Sequence, residues 1–100
     1  MVFIECKRLI IMVKVKISIS GVYNKRVLDK KDTFVLEAGK TIQDLLNEIN
    51  RRYHAGITPN CIDERKIVCV FDEEIIQKED LTKEIQKDGE LSIMQPIAGG

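Results

Sequence analysis

Apolar residues at helical spacing are concentrated in one stretch of this chain, and those before it recur at period two. Ile42, Leu45, Leu46, Ile49 and Tyr53 fall at i, i+3, i+4, i+7 and i+11, one continuous helical face. Thr41 and Asp44 form a capping-box pair at its start, hydroxyl to an orphan amide and carboxylate back to the cap. Gly56 is a reasonable stop, and Thr58-Pro59-Asn60 reads as loop chemistry. Upstream, Val13, Val15, Ile17 and Ile19 alternate with Lys14, Lys16, Ser18 and Ser20, the pattern of a half-buried strand that opens at Met12. A single amphipathic helix therefore has to cover the apolar face of a sheet.

The rest of the chain supplies the other strands. Gly21, Asn24 and the charges after them read as a turn or long hairpin loop, after which Phe34, Leu36 and Ala38 resume an inward alternation. Lys66 to Phe71 is a short, nearly continuous apolar run, consistent with an interior strand. Asp72-Glu73-Glu74 turns the chain, and Ile75-Ile76 makes a brief edge strand. Leu81 and Ile85, four apart between Asp80 and Lys87, predict one or two helical turns. Asp88-Gly89 reads as a tight turn, and Leu91 and Ile93 anchor a last strand. Strand, strand, helix, strand, short strand, short helix, strand describes an α+β domain: a mixed sheet with one main helix packed across one face. The first and last strands pair in parallel at its centre. The helix face is expected to bury against Val15, Ile17, Leu36, Val68 and Ile93. Met94 is expected on the opposite face, together with some of Phe71, Ile67 and Cys69.

With 100 residues the chain has a single-domain length, and 44% hydrophobic and 32% charged residues are ordinary for a soluble protein. Sixteen residues of each charge leave no net basic field, so nucleic acid is not expected as a partner. Lys25-Arg26 and Lys30-Lys31 read as solvated loop charge. Cys6, Cys61 and Cys69 lack metal-type spacing and read as reduced thiols of a cytoplasmic protein, Cys69 in the core. The apolar N-terminal stretch is interrupted by Glu5, Lys7 and Arg8, so neither a membrane span nor a secretory signal is expected. Residues 1–11 read as an extension ahead of the physiological start or as an added edge strand, with the former favoured. His54 sits at a helix end, where interaction with the helix dipole is the simplest role. The acidic groups Asp63-Glu64 and Asp72-Glu73-Glu74 read as turn carboxylates, and no metal, no cofactor and no catalytic constellation is expected.

Gly99-Gly100 follow the last strand directly, through Gln95, Pro96, Ile97 and Ala98. Pro96 cannot donate to a sheet ladder and biases Gln95 to extended geometry, so pairing is expected to end near there. The predicted organisation is thus residues 12–95 as the domain and residues 96–100 as a flexible diglycine tail. Five extended residues reach about 16–18 Å, enough to thread a carboxylate into another protein's active site. Two terminal glycines alone would read as frayed chain; the strand and the proline before them give them a use.

This order of elements, with Asp88-Gly89-Glu90-Leu91 and the ending Gln95-Pro96-Ile97-Ala98-Gly99-Gly100, resembles the ubiquitin-like β-grasp sulfur carriers. That family contains the small subunit of molybdopterin synthase and the thiamine sulfur carrier. The molybdopterin branch typically ends Pro-Pro-Val-Ala-Gly-Gly, so Gln95 and Ile97 are departures, and Ala55–Arg65 and Glu79–Lys87 look enlarged. The resemblance implies that an ATP-dependent, ubiquitin-activating-type adenylyltransferase adenylates Gly100. A persulfide sulfur donor then displaces AMP to leave a thiocarboxylate, which enters a large synthase subunit. It makes Gly99 and Gly100 the functional terminus, and Pro96, Ile97, Ala98 and Met94 the docking elements, with catalysis left to the partners. A carrier for thiamine or another pathway, and a protein modifier joined to lysines through Gly100, remain as alternatives.

Overall fold

A computed structural model describes residues 10–96. Most of the expected N-terminal extension, and Ile97, Ala98, Gly99 and Gly100 of the expected tail, lie outside the described residues. The chain runs through strands β1 (Met12–Tyr23) and β2 (Arg26–Glu37), helix α1 (Ile42–Tyr53), a short helix α2 (Pro59–Asp63), β3 (Val68–Phe71), β4 (Glu74–Ile75), a 3-10 helix (Lys78–Thr82) and β5 (Gly89–Met94). The five strands form one mixed sheet in the order β2-β1-β5-β3-β4.

Alternation in β1 decides which way the sheet faces. Val13, Val15, Ile17 and Ile19 are buried, and β1 pairs in parallel with β5 from Val15↔Gly89 to Ile19↔Ile93. Leu91 and Ile93 therefore share the buried face with Ile17 and Ile19. Helix α1 covers that face with Ile42, Leu45, Leu46 and Ile49, all in the core cluster. Its cap is the one the sequence specifies: Thr41 Oγ1 accepts the Asp44 N–H at 3.1 Å, and the Asp44 carboxylate accepts the Thr41 N–H at 2.9 Å. The Thr41 N–H holds the Asp44 carboxyl below the usual carboxylate range. At the other end of α1, the Asp32 carboxylate of β2 accepts from Tyr53 Oη and Arg52 Nη1, both at 2.7 Å, and Arg52 stacks over Phe34 at 4.5 Å.

Several local expectations are corrected. The first hairpin has no long loop: both strands run twelve residues to a two-residue turn at Asn24-Lys25, whose φ values of 50° and 65° suit the twist of a hairpin. Thr58-Pro59-Asn60 opens α2, because a proline is pre-organised for the first helical turn. The predicted helical turns over Asp80–Lys87 are a 3-10 helix ending at Thr82, followed by extended chain. There Glu84 bridges Thr41, and the Lys83 carbonyl accepts the Ile42 N–H at 3.1 Å. Leu81 and Ile85 both reach the core, but by this route. Asp88-Gly89 is no separate turn, since Gly89 opens β5 while Asp88 accepts the Lys14 N–H at 2.8 Å.

The pairing of β3 corrects the expected place of Val68 and puts Cys69 in the core, where its residue type places it. Cys69 pairs with Ile93 and Val68 with Met94, so Ile67 and Cys69 are buried, whereas Val68 and Val70 are half-buried on the far face. Val68 is therefore not part of the core that α1 covers, and Ile67 and Cys69 do not join the outer face. An apolar run without alternation carries no parity of its own; the pairing register assigns it.

Leu46 is 1% exposed, and Leu46→Ala is expected to lower the unfolding free energy by about 2–5 kcal/mol in urea titrations. Burial pushes the Tyr23 hydroxyl up to about 12 from 10.0, and the Cys69 thiol up to about 12 from 9.0. The unfolded chain therefore loses these protons first. The contribution of each group is intact below its unfolded value and is lost as pH climbs towards 12. Tyr23 also donates to the Ser20 carbonyl at 2.8 Å. Tyr23→Phe is expected to lower stability at pH 7 by about 1 kcal/mol, and to flatten the decline above pH 10 in denaturation curves across that range.

Candidate functional site

The expected site is the end of β5. Strand pairing stops at Met94, one residue before Gln95-Pro96. Proline has no N–H to offer a neighbouring strand, which accounts for the end of the ladder. Met94 is 40% exposed and lies on the face away from α1, as its alternation with Ile93 requires. Val68 stands beside it in register, Val70 lies two pairs further along on the same face, and Ile75 of β4 pairs with Val70 and is 66% exposed. The outer face of β5, β3 and β4 thus carries an apolar strip next to Pro96. Pro96 itself lines a groove with Ile62, Arg65, Val68, Ile75 and Gln77. The β1–β2 half of the same face is mixed: Lys14, Lys16, Ser18, Lys31 and Thr33 lie among the exposed Met12, Val22, Val27 and Val35.

Of the sequence-predicted residues, the structure brings Met94 and Pro96 together at the end of the central strand; Ile97, Ala98, Gly99 and Gly100 lie outside the described residues. Gln95, expected only to be extended ahead of Pro96 and to depart from the family's proline, has a further role. Its carboxamide bonds Val22 of β1 twice: Oε1 accepts the Val22 N–H at 2.9 Å, and Nε2 donates to the Val22 carbonyl. The one local signal was Gly21, read as a turn residue. It lies within β1, and a Cβ there would meet Gln95 Cδ and Oε1 at 2.7 Å.

The Asp88-Gly89 motif has a packing reason. A Cβ on Gly89 would lie 2.8 Å from an Asp72 carboxylate oxygen and 3.0 Å from the Phe71 ring. The same carboxylate accepts the Glu90 N–H at 2.9 Å, fastening the β3–β4 turn to β5. Side chains with chemical potential elsewhere have structural work. His54 is the left-handed C-cap of α1, and its carbonyl accepts from Asn24 Nδ2 at 2.6 Å. Cys69 is buried with its thiol held protonated, and Cys61 is half-buried beside the Thr58 hydroxyl. Among the described residues, no group of three His, Cys, Asp or Glu is placed to hold a metal ion, and no helix is long and apolar enough to cross a membrane.

A sequence profile of the ThiS family matches residues 22–100, from the hairpin tip through the terminal diglycine. The chain belongs to the ThiS family. No curated protein sequence matches the chain. Among solved structures, the Haloferax volcanii HVO 2177 protein is similar, with a TM-score of 0.62 at 13% identity over 89% of this chain and 88% of that one. The small archaeal modifier protein 1 from Methanosarcina acetivorans is similar with a TM-score of 0.53 at 16% identity, over 89% and 98% of the two chains. At these identities the likeness concerns the fold, which is the ubiquitin-like β-grasp: a mixed sheet with one main helix across one face.

Proposed function

We propose that this ThiS-family chain is a carrier that works through its C-terminus. In this reading residues 12–95 are the carrying domain, residues 96–100 the tail, and Gly99 and Gly100 the functional end. The observation that carries it is a family match running through Gly100, on a chain whose last strand ends at Met94. A carboxylate is a poor electrophile. ATP is spent to make an acyl adenylate at Gly100, with pyrophosphate leaving. The terminal sulfur of a partner's persulfide attacks the acyl carbon and AMP leaves. A partner thiol then cleaves the acyl disulfide, forming a disulfide on the partner and freeing the thiocarboxylate. The glycines admit the backbone to a narrow channel that any Cβ would obstruct. The reacting groups other than the carboxylate belong to the adenylyltransferase, the persulfide donor and the acceptor synthase.

Within that reading we assign the sulfur to molybdopterin synthesis, on the strength of Asp88-Gly89-Glu90-Leu91 and Pro96-Ile97-Ala98-Gly99-Gly100. The family match supports thiamine or another sulfur-accepting pathway equally well. The fold shared with a small archaeal modifier keeps conjugation through Gly100 as the second reading. Incubation with ATP and native lysate, followed by intact-mass measurement, separates the two. A gain equal to exchanging one oxygen for sulfur marks a carrier, and a ladder of large adducts marks a modifier. The thiocarboxylated protein is then expected to support conversion of a pterin precursor by a large synthase subunit. Deleting Gly100, or Gly99→Val, is expected to abolish ATP–pyrophosphate exchange while leaving the thermal midpoint unchanged.

The apolar strip beside Pro96 is the proposed docking surface, with Met94 at its β5 edge. Met94→Asp puts a charge where a partner would desolvate it, and is expected to weaken binding to the adenylyltransferase or synthase by at least about fivefold in titration calorimetry. Because the side chain is exposed, the unfolding free energy is expected to stay within about 0.5 kcal/mol of the parent. Unchanged affinity would move the interface elsewhere on the domain.

A further inference from the structure

Gln95 is tied to the sheet by its side chain, after its backbone has left the ladder. The parallel pairing of β5 to β1 runs only to Ile19↔Ile93, and β5 itself ends at Met94. Three residues further along β1, the Gln95 carboxamide takes both the N–H and the C=O of Val22. A primary amide offers the donor and acceptor that a peptide group would, so the side chain adds one more rung. Two bonds to one residue fix the plane of the carboxamide as well as its position.

The seat for this rung is built. Gly21 leaves room that a Cβ would fill, at 2.7 Å from the carboxamide. Val22 is paired on its other side with Val27 of β2, and the hairpin tip beyond it is tied to the end of α1 by Asn24 and the His54 carbonyl. Gln95 is therefore attached to a strand that is itself held from two directions. The next residue is Pro96, whose ring fixes φ near −65°, so a direction set at residue 95 is carried one residue further.

We infer that Gln95 is a positioning residue: its clamp on Val22 sets the direction in which the chain leaves the sheet, and so pre-organises the C-terminus for the adenylating partner. The inference rests on the carrier reading above. A terminus ordered only on binding charges its ordering entropy to the complex, and a terminus aimed in advance avoids part of that cost.

Gln95→Ala removes the rung. Gln95→Glu keeps an acceptor, removes the donor and sets a charge against the Val22 carbonyl. In the full-length protein Gln95→Ala is expected to speed amide exchange at Val22 in NMR, whereas Gln95→Glu leaves that N–H an acceptor and loses only the bond to the Val22 carbonyl. In ATP–pyrophosphate exchange both are expected to raise the KM for this protein about three- to tenfold, with kcat within about twofold of the parent and the thermal midpoint unchanged. Unchanged exchange at Val22 in the Gln95→Ala protein would overturn the clamp. Faster exchange at Val22 with an unchanged KM would overturn the positioning role, as would a KM change that follows a fall in the thermal midpoint. A parent protein that supports no ATP–pyrophosphate exchange overturns the carrier reading and this inference with it. An active parent whose variants keep its KM overturns this inference alone.

Discussion

The parallel pairing of β1 with β5 is the constraint on which the remaining structure depends. Parallel neighbours cannot be joined by a tight turn, so the connection has to contain everything between them: the return strand, the helix and the β3–β4 hairpin. The pairing also distributes parity. β1 alternates strongly, β5 inherits its faces through Ile17↔Leu91 and Ile19↔Ile93, and β3 inherits its own through Cys69↔Ile93. Both ends of this ladder are closed by side chains. Asp88 accepts the Lys14 N–H at one end, and Gln95 takes Val22 at the other. One ladder thus decides which residues meet α1, which face outwards and where the chain emerges.

What was legible in the sequence is what is decided locally. The β1 alternation, the helical face and the Thr41–Asp44 cap are each written within a few residues, and the structure has them as read. Where a residue's role depends on a distant partner, the reading failed or stayed silent. Val68 faces away from the core it is expected to join, because a continuous apolar run leaves parity to the pairing register, whereas Cys69 lies in the core as expected. The hairpin turn is legible near Asn24 by residue type, but not its two-residue length, because Lys25 adopts a positive φ that its side chain does not advertise. At the candidate site, residue type alone points to the diglycine, which lies outside the described residues. The Gln95 clamp joins residues 73 apart in sequence, and the Asp88 cap joins residues 74 apart. No local pattern could announce either of them.

Function does not follow from this fold by itself, since proteins at 13% and 16% identity share it. It has to be sought in what the fold exposes. The outer face is uneven: lysines and hydroxyls interleave with exposed valines on β1 and β2, and Val68, Val70, Ile75 and Met94 form an apolar strip on β3, β4 and β5. In the proposed docking, the strip beside Pro96 is the surface a partner would cover.

A side-chain rung suits this position better than a longer strand. Each further residue paired through its backbone would shorten the reach of the terminus by about 3.3 Å. A proline at position 96 prevents that extension, but a chain released at Met94 without any tether would leave in no defined direction. The Gln95 carboxamide supplies direction without taking more backbone into the ladder, and Gly21 supplies the space for it. Reach and aim pull in opposite directions for any terminus that has to enter another protein. Here the proline preserves reach, and a single amide against one β1 residue restores aim.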